Sequence, residues 1–223
     1  MSTTAPSGVS PAFLLSRSKE SLSFAVVGLV VSTCVYGITI LQAYTYYRNH
    51  GHDSTCMRSF VAFLFVLDTV SMVLTVDGIY EYVVVDFGDP LLLLKIPSSL
   101  AFEAAVGFLL GSLTQCFFAQ RLWALSERNV PLVSTIVILA LCSLGIGMRV
   151  SVHLYTDNNV FSFGSLEIRM LMGFANGLSA LCDVVIVVAL CCYLHSKRTG
   201  FKRTDSIIDR LIVYAVNRGV LTA

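Results

Sequence analysis

The sequence predicts an all-α fold: a polytopic transmembrane helical bundle with five full spans and a partial sixth. Three observations point there. Of the 223 residues, 56% are hydrophobic and 13% are charged, whereas soluble domains carry about 25% charged residues. A soluble fold of this length would have more apolar surface than its core could hold. The apolar residues are gathered into charge-poor runs, the first from Ser21 to Tyr47. As a helix that run extends roughly 40 Å, against a hydrocarbon core of about 30 Å.

Residues 1–20 are rich in Ser, Thr, Ala and Pro and read as a flexible extracytoplasmic tail. The five-span bundle occupies 21–194, with helices expected at 23–46, 60–84, 98–123, 131–154 and 171–194. The first run is too long for a signal-peptide apolar region, and no short basic segment directly precedes a small-residue cleavage site. Pro97 and Pro131 stand where the third and fourth helices begin. Proline suits that position because the first turn has no use for its missing N–H. Residues 195–223 form a basic loop and a partial sixth helix, whose uninterrupted apolar stretch is only Leu211 to Val216. That stretch is too short to span.

Orientation follows from Lys and Arg in alternate loops. Loops 47–59, 124–130 and 195–205 and the residues flanking them hold nine cations, and the opposite side holds Arg17, Lys19, Lys95 and Arg169. The richer side is expected to be cytoplasmic, with the amino terminus extracytoplasmic and the plasma membrane favoured. The segment HSKRTGFKRTDS (195–206) repeats Lys-Arg-Thr within a few residues. Its Lys197, Arg198, Lys202 and Arg203 mark the topology and suit anionic lipid headgroups, at about 1 kcal/mol per cation. Tyr44, Tyr46, Tyr47, Phe117, Phe118, Trp123 and Tyr193 read as an inner aromatic belt, and Tyr80, Tyr82 and Tyr155 as an outer one.

An ionisable residue near the bilayer centre costs roughly 2.5–3.5 kcal/mol on insertion scales, so each is expected to face protein or water. The intramembrane polar candidates are Asp68, Asp77, Glu103, Gln115, Arg149 and Asp183. From the rise per residue, Asp77, Glu103 and Arg149 lie in the outer half, roughly 7–10 Å from the midplane. An ion pair of Arg149 with Glu103 or Asp77 is therefore expected. Asp68 and Asp183 lie nearer the middle, with Gln115 at a depth close to Asp68. Asp68 and Asp77 fall on opposite faces of their helix, which separates an Asp68, Ser71 and Thr75 stripe from an outward-opening Asp77 and Glu81 pair. GFLLG (107–111) and GFANG (173–177) have the spacing of small residues that lets helices approach closely.

Other chemistry is not signalled. There is no nucleophile elbow, phosphate loop, dinucleotide fingerprint or His-rich helix, so no catalytic residue, cofactor or enzyme activity is expected. The seven cysteines lack zinc-ligand spacing, and His50-Gly51-His52-Asp53 is a weak metal pattern, so no metal is expected. No basic face points to nucleic acid. The expected partner is the lipid bilayer. The polar residues suit an outward-facing ligand pocket in a receptor-like bundle, a proton- or ion-coupled carrier using Asp68 and Asp183, or a structural, lipid-organising role.

Several segments carry a family likeness: YGITILQAYTYY (36–47), FLFVLDT (63–69), PSSLAFE (97–103), QCFFAQRLWALSERN (115–129) and SKRTGFKRTDSIIDRLIVYAVNRGVLT (196–222). In these the chain resembles a large family of basidiomycete fungal multi-pass membrane proteins with seven predicted helices and a C-terminal domain of unknown function. Here that domain is expected over about 175–223. The resemblance implies an architecture, since the family has no established chemistry. It also implies that the chain stops within the sixth helix. The chain departs from the family at Asn217-Arg218-Gly219, where Asn-Thr-Gly is usual, and at Ser71, where histidine is common.

Overall fold

A computed structural model of the chain describes residues 11–49, 55–85, 95–126, 129–157 and 165–196. These form five long helices: α1 (Pro11–Asn49), α2 (Thr55–Tyr80), α3 (Ser98–Leu125), α4 (Val130–Thr156) and α5 (Leu166–Ser196). A π-helical turn, Glu81–Val85, continues α2. Each helix contains a stretch of 27–31 residues that is long and apolar enough to cross a membrane. At the α-helical rise, 28 residues extend about 42 Å, enough for the hydrocarbon core and both interfaces. This is the all-α helical bundle of an integral membrane protein.

The helices run further than the apolar runs alone suggest. The tail expected over 1–20 is helical from Pro11 onward. Proline fits a first helical position, and the Leu, Arg, Lys and Glu that follow are good helix formers. The other helices gain a few residues at their ends, so loops 47–59 and 124–130 are shorter than expected and the fifth helix runs on to Ser196. Polar interface residues such as Arg48 and Asn49 extend a helix into the headgroup zone, where hydropathy falls but backbone bonding continues. Residues 197–223, including Lys197, Arg198, Lys202, Arg203 and the expected sixth helix, lie outside the described residues.

Helix ends follow local chemistry. The amide of Leu100 bonds the Pro97 carbonyl at 3.1 Å, opening α3. The Asn129 carbonyl accepts the Val133 amide at 3.4 Å, opening α4 with Pro131 in its first turn. Glu167 lies in the first turn of α5, where the helix dipole favours an acid. At the end of α4, Asp157 bonds the His153 carbonyl through its amide at 2.9 Å and faces His153 Nε2 at 3.3 Å through its carboxylate.

The chain divides into two compact units. The first comprises residues 1–107 and 151–165, and the second residues 108–150 and 166–223. In the first, α1 and α2 run antiparallel. Tyr36 Oη and Thr69 Oγ1 share a hydrogen bond of 2.9 Å, and Tyr47 Oη donates to the Arg58 carbonyl at 2.8 Å. The Tyr36 ring stacks on Phe65, with centroids 6.3 Å apart. In the same unit Gly78 is buried against Leu100, so that a Cβ there would lie 2.6 Å from the leucine side chain.

The second unit has the denser core, built from Ala119, Leu122, Ile136, Ala140, Cys182, Ile186, Ala189 and Leu190. Half of these are Ala or Cys, in keeping with membrane helices, which associate through small residues that let backbones come close. Ser143 Oγ donates to the Ala175 carbonyl at 2.9 Å, and Cys182 Sγ meets the Ile136 carbonyl at 3.5 Å, setting α4 antiparallel to α5.

The outer surface is apolar. Val30, Val66, Val73, Ile138, Val152, Val184 and Val188 are each more than half exposed. In the most apolar stretches of α1 and α2 no residue is buried. Threonines within these helices return their hydroxyls to their own backbone, as Thr33 does to Leu29, Thr39 to Val35 and Thr75 to Ser71. A chain whose solvent is hydrocarbon must satisfy its polar groups internally.

The close approaches fall at glycines other than those in the two repeated small-residue spacings. Nothing lies within 4 Å of a Cβ added at Gly111, Gly173 or Gly177, and at Gly107 only Glu103 of the same helix does, at 3.9 Å. Gly147, by contrast, packs directly on the Phe108 ring. Spacing records where small residues recur and is blind to the side chain opposite. Gly78→Val is expected to lower stability by about 1–3 kcal/mol through overpacking, with partial recovery in a Leu100→Ala background. Gly177→Ala is expected to leave the thermal unfolding midpoint of the detergent-solubilised protein unchanged or slightly raised.

Candidate functional site

Two polar groupings lie within the apolar helices, one in each unit. In the first unit, α2 and α3 run antiparallel past Gly78. Ser99 Oγ of α3 donates to the Asp77 carboxylate of α2. One to two turns along, Ser71 of α2 lies near Glu103 of α3. Each helix thus supplies one acid and one serine, and each acid is met by the other helix's serine. Asp77 is exposed and Glu103 half-buried, so the seam runs from the surface inward.

Ser71 had been grouped with Asp68 and Thr75 by helical spacing. The structure turns it toward Glu103, joining the Asp77 and Glu103 seam. Asp68 is half-buried on α2, beside the Thr69 that meets Tyr36. Glu81, one turn beyond Asp77, opens the π-helical turn.

The second grouping centres on Gln115, which is 1% exposed. Its Nε2 lies 3.2 Å from the Ser179 carbonyl, 3.0 Å from Ser179 Oγ and 3.1 Å from Asp183 Oδ1. Ser179 and Asp183 are one turn apart on α5 and so present their oxygens on one face. Gln115 therefore has its partners on α5, whereas the sequence compared its depth with that of Asp68. It stands ten residues from the end of α3 at Leu125, about 15 Å along the axis.

Arg149 is exposed on α4 and belongs to the second unit, while Asp77 and Glu103 belong to the first. No group of three His, Cys, Asp or Glu able to hold a metal occurs among the described residues. The His50–Asp53 pattern lies outside them.

At the helix ends, Arg58 lies over the Tyr47 ring at 5.8 Å and Arg121 over the Phe117 ring at 5.3 Å. Asn129 Nδ2 donates to Tyr193 Oη at 3.1 Å, closing the start of α4 onto α5. Such cation–aromatic contacts are typical of interface anchors.

The sequence did not signal Ser99, Ser179, Tyr36 or Thr69 as partners. Serine and threonine occur throughout apolar helices and carry no charge to mark them. Only Tyr36 had a signal that could have found it, since a tyrosine far from either interface needs a partner for its hydroxyl.

Residues 179–223 match a family described as "Family of unknown function (DUF6534)". The match begins at Ser179, within α5, and includes Asp183. Comparison with curated proteins and with solved structures gives no match.

Gln115→Leu removes the amide that donates to Asp183 and leaves three oxygens of α5 facing an apolar side chain. The expected loss is about 1–3 kcal/mol, the cost of stranding half-buried acceptors. The loss should shrink when Asp183→Leu is also present, as a double-mutant cycle on thermal unfolding would show.

Proposed function

We propose that the protein is a receptor-like sensor: a multi-pass membrane bundle without enzymatic activity, whose ligand site is the polar seam of α2 and α3. One observation carries this reading. Asp77 and Glu103 sit on facing helices in an apolar setting, each with a serine partner. Two acids and two serines gathered in one seam suit a small ligand bearing an ammonium group or several hydroxyls. A merely structural polar pair would be served by one such contact.

The cation count supports an extracytoplasmic amino terminus, with the seam in the outer half of the membrane. Lys197, Arg198, Lys202 and Arg203 then rest against anionic headgroups on the cytoplasmic side. The plasma membrane suits a sensor of external ligands.

The test is thermal unfolding of the purified protein with a panel of small primary amines and polyols. A rise of several degrees with one class, reduced by Asp77→Asn or Glu103→Gln, is expected. Proton-coupled flux in reconstituted vesicles, abolished by neutralising Asp68 and Asp183, would instead make the protein a carrier. Silence in both assays would favour a structural role. The orientation has its own check: a membrane-impermeant maleimide added to intact cells should leave Cys56 unlabelled until the cells are permeabilised.

A further inference from the structure

We propose that the flank of the α4–α5 pair carrying Arg149 and Glu167 is a docking surface for a second copy of this chain, joined by two reciprocal ion pairs. Within the second unit, α4 and α5 run antiparallel in a fixed register. Ser143 Oγ meets the Ala175 carbonyl at 2.9 Å, and seven residues away on each helix Cys182 Sγ meets the Ile136 carbonyl at 3.5 Å. Arg149 lies six residues beyond Ser143, about 9 Å along α4, and Glu167 eight residues before Ala175, about 12 Å along α5. The two opposite charges therefore stand within about 3 Å of the same height. Both residues are exposed.

They also stand on the same side of the pair. Ser179 and Asp183 of α5 meet Gln115 of α3, and Gly147 of α4 packs on Phe108 of α3, so α3 fills one flank. At about 100° per residue, Arg149 and Glu167 fall on the other flank of their helices. Arg149 is turned about 120° from the direction that faces α5, so it leans away from Glu167 of its own chain. The flank repeats every seven residues. Arg149 is preceded along α4 by Cys142 and Thr135, and Glu167 is followed along α5 by Phe174 and Leu181. All are exposed, Phe174 at 66% and Leu181 at 51%. A seven-residue spacing keeps one stripe turned toward one partner helix.

Lipid tails can cover an apolar stripe. An acid and a base at one height on that stripe are what a rotated copy of the same surface matches. Two copies that face the same way in one membrane are related by a two-fold axis along its normal, and a half-turn about that axis leaves heights unchanged. Arg149 of each copy then meets Glu167 of the other. The next layer brings Cys142 of each copy opposite Phe174 of the other, and the layer after that Thr135 opposite Leu181. Such reciprocity is the mark of an isologous contact. The surface belongs to the second unit alone and is independent of the α2–α3 seam and of any ligand bound there.

Step photobleaching of the full-length chain, with one fluorophore per copy, in dilute phosphatidylcholine liposomes tests the proposal. Two-step bleaching is expected for the wild type. Arg149→Glu and Glu167→Arg should each weaken dimerisation about tenfold or more, since each sets like charges against one another. Reconstituting the two variants together in two colours should restore mixed pairs, because every contact then joins an acid to a base. An ion pair within one chain cannot be rescued by such mixing. Single-step bleaching of the wild type would overturn the proposal and leave the flank to lipid or to residues 206–223 of the same chain. So would single variants that dimerise as the wild type does, or a mixture that stays apart. Each variant is first checked for a cooperative thermal unfolding transition. If a charge-reversed variant fails that check, oxidation of Phe174→Cys decides: a disulfide-linked dimer is expected that disappears when Cys142→Ala is added, and its absence would sink the docking surface.

Discussion

Hydrocarbon offers no hydrogen bonds, and most of this structure answers that constraint. Backbone groups are absorbed by the helices themselves. Side-chain hydroxyls fold back onto carbonyls one turn earlier, as at Thr33, Thr39 and Thr75. What remains, Tyr36, Asp77, Glu103, Gln115 and Asp183, must find partners on another helix. Those few contacts fix rotation and register for helices whose apolar surfaces would pack almost equally well in other ways. Lipid tails are as oily as leucine, so apolar burial alone selects weakly among arrangements.

The two units meet this constraint differently. The second packs alanines and a cysteine tightly and encloses Gln115 almost completely. The first relies on scattered points: the Tyr36–Thr69 bond, the Gly78–Leu100 contact and the acid–serine pairs of α2 and α3. Its acids are more open than Gln115. Gln115 is enclosed, whereas the Asp77 end of the α2–α3 seam is exposed.

The architecture was legible because charge-free runs longer than a bilayer have few other uses. All five spans could be read from composition and from proline positions. The ends were less legible, since Arg48, Asn49 and Glu167 look like loop residues and yet are helical. The helix over 11–22 was hidden by a serine-rich composition that imitates a tail. Site acids stood out by charge, but their partners did not, because Ser99 and Ser179 resemble every other serine in an oily chain. Glycine spacing misled for a related reason: Gly173 and Gly177 face open space, whereas isolated Gly78 and Gly147 are the ones pressed against a neighbour.

Tyr36 and Tyr47 of the first helix bond to the second, and none of the first helix's most apolar stretch is buried. Its residence in the bilayer therefore owes nothing to its neighbours. Such a segment partitions by itself as it leaves the ribosome and is joined afterwards, in the order expected when insertion precedes assembly. The bundle can be viewed as a partnership of independently anchored rods, in which losing a contact loosens the company without expelling a member from the membrane.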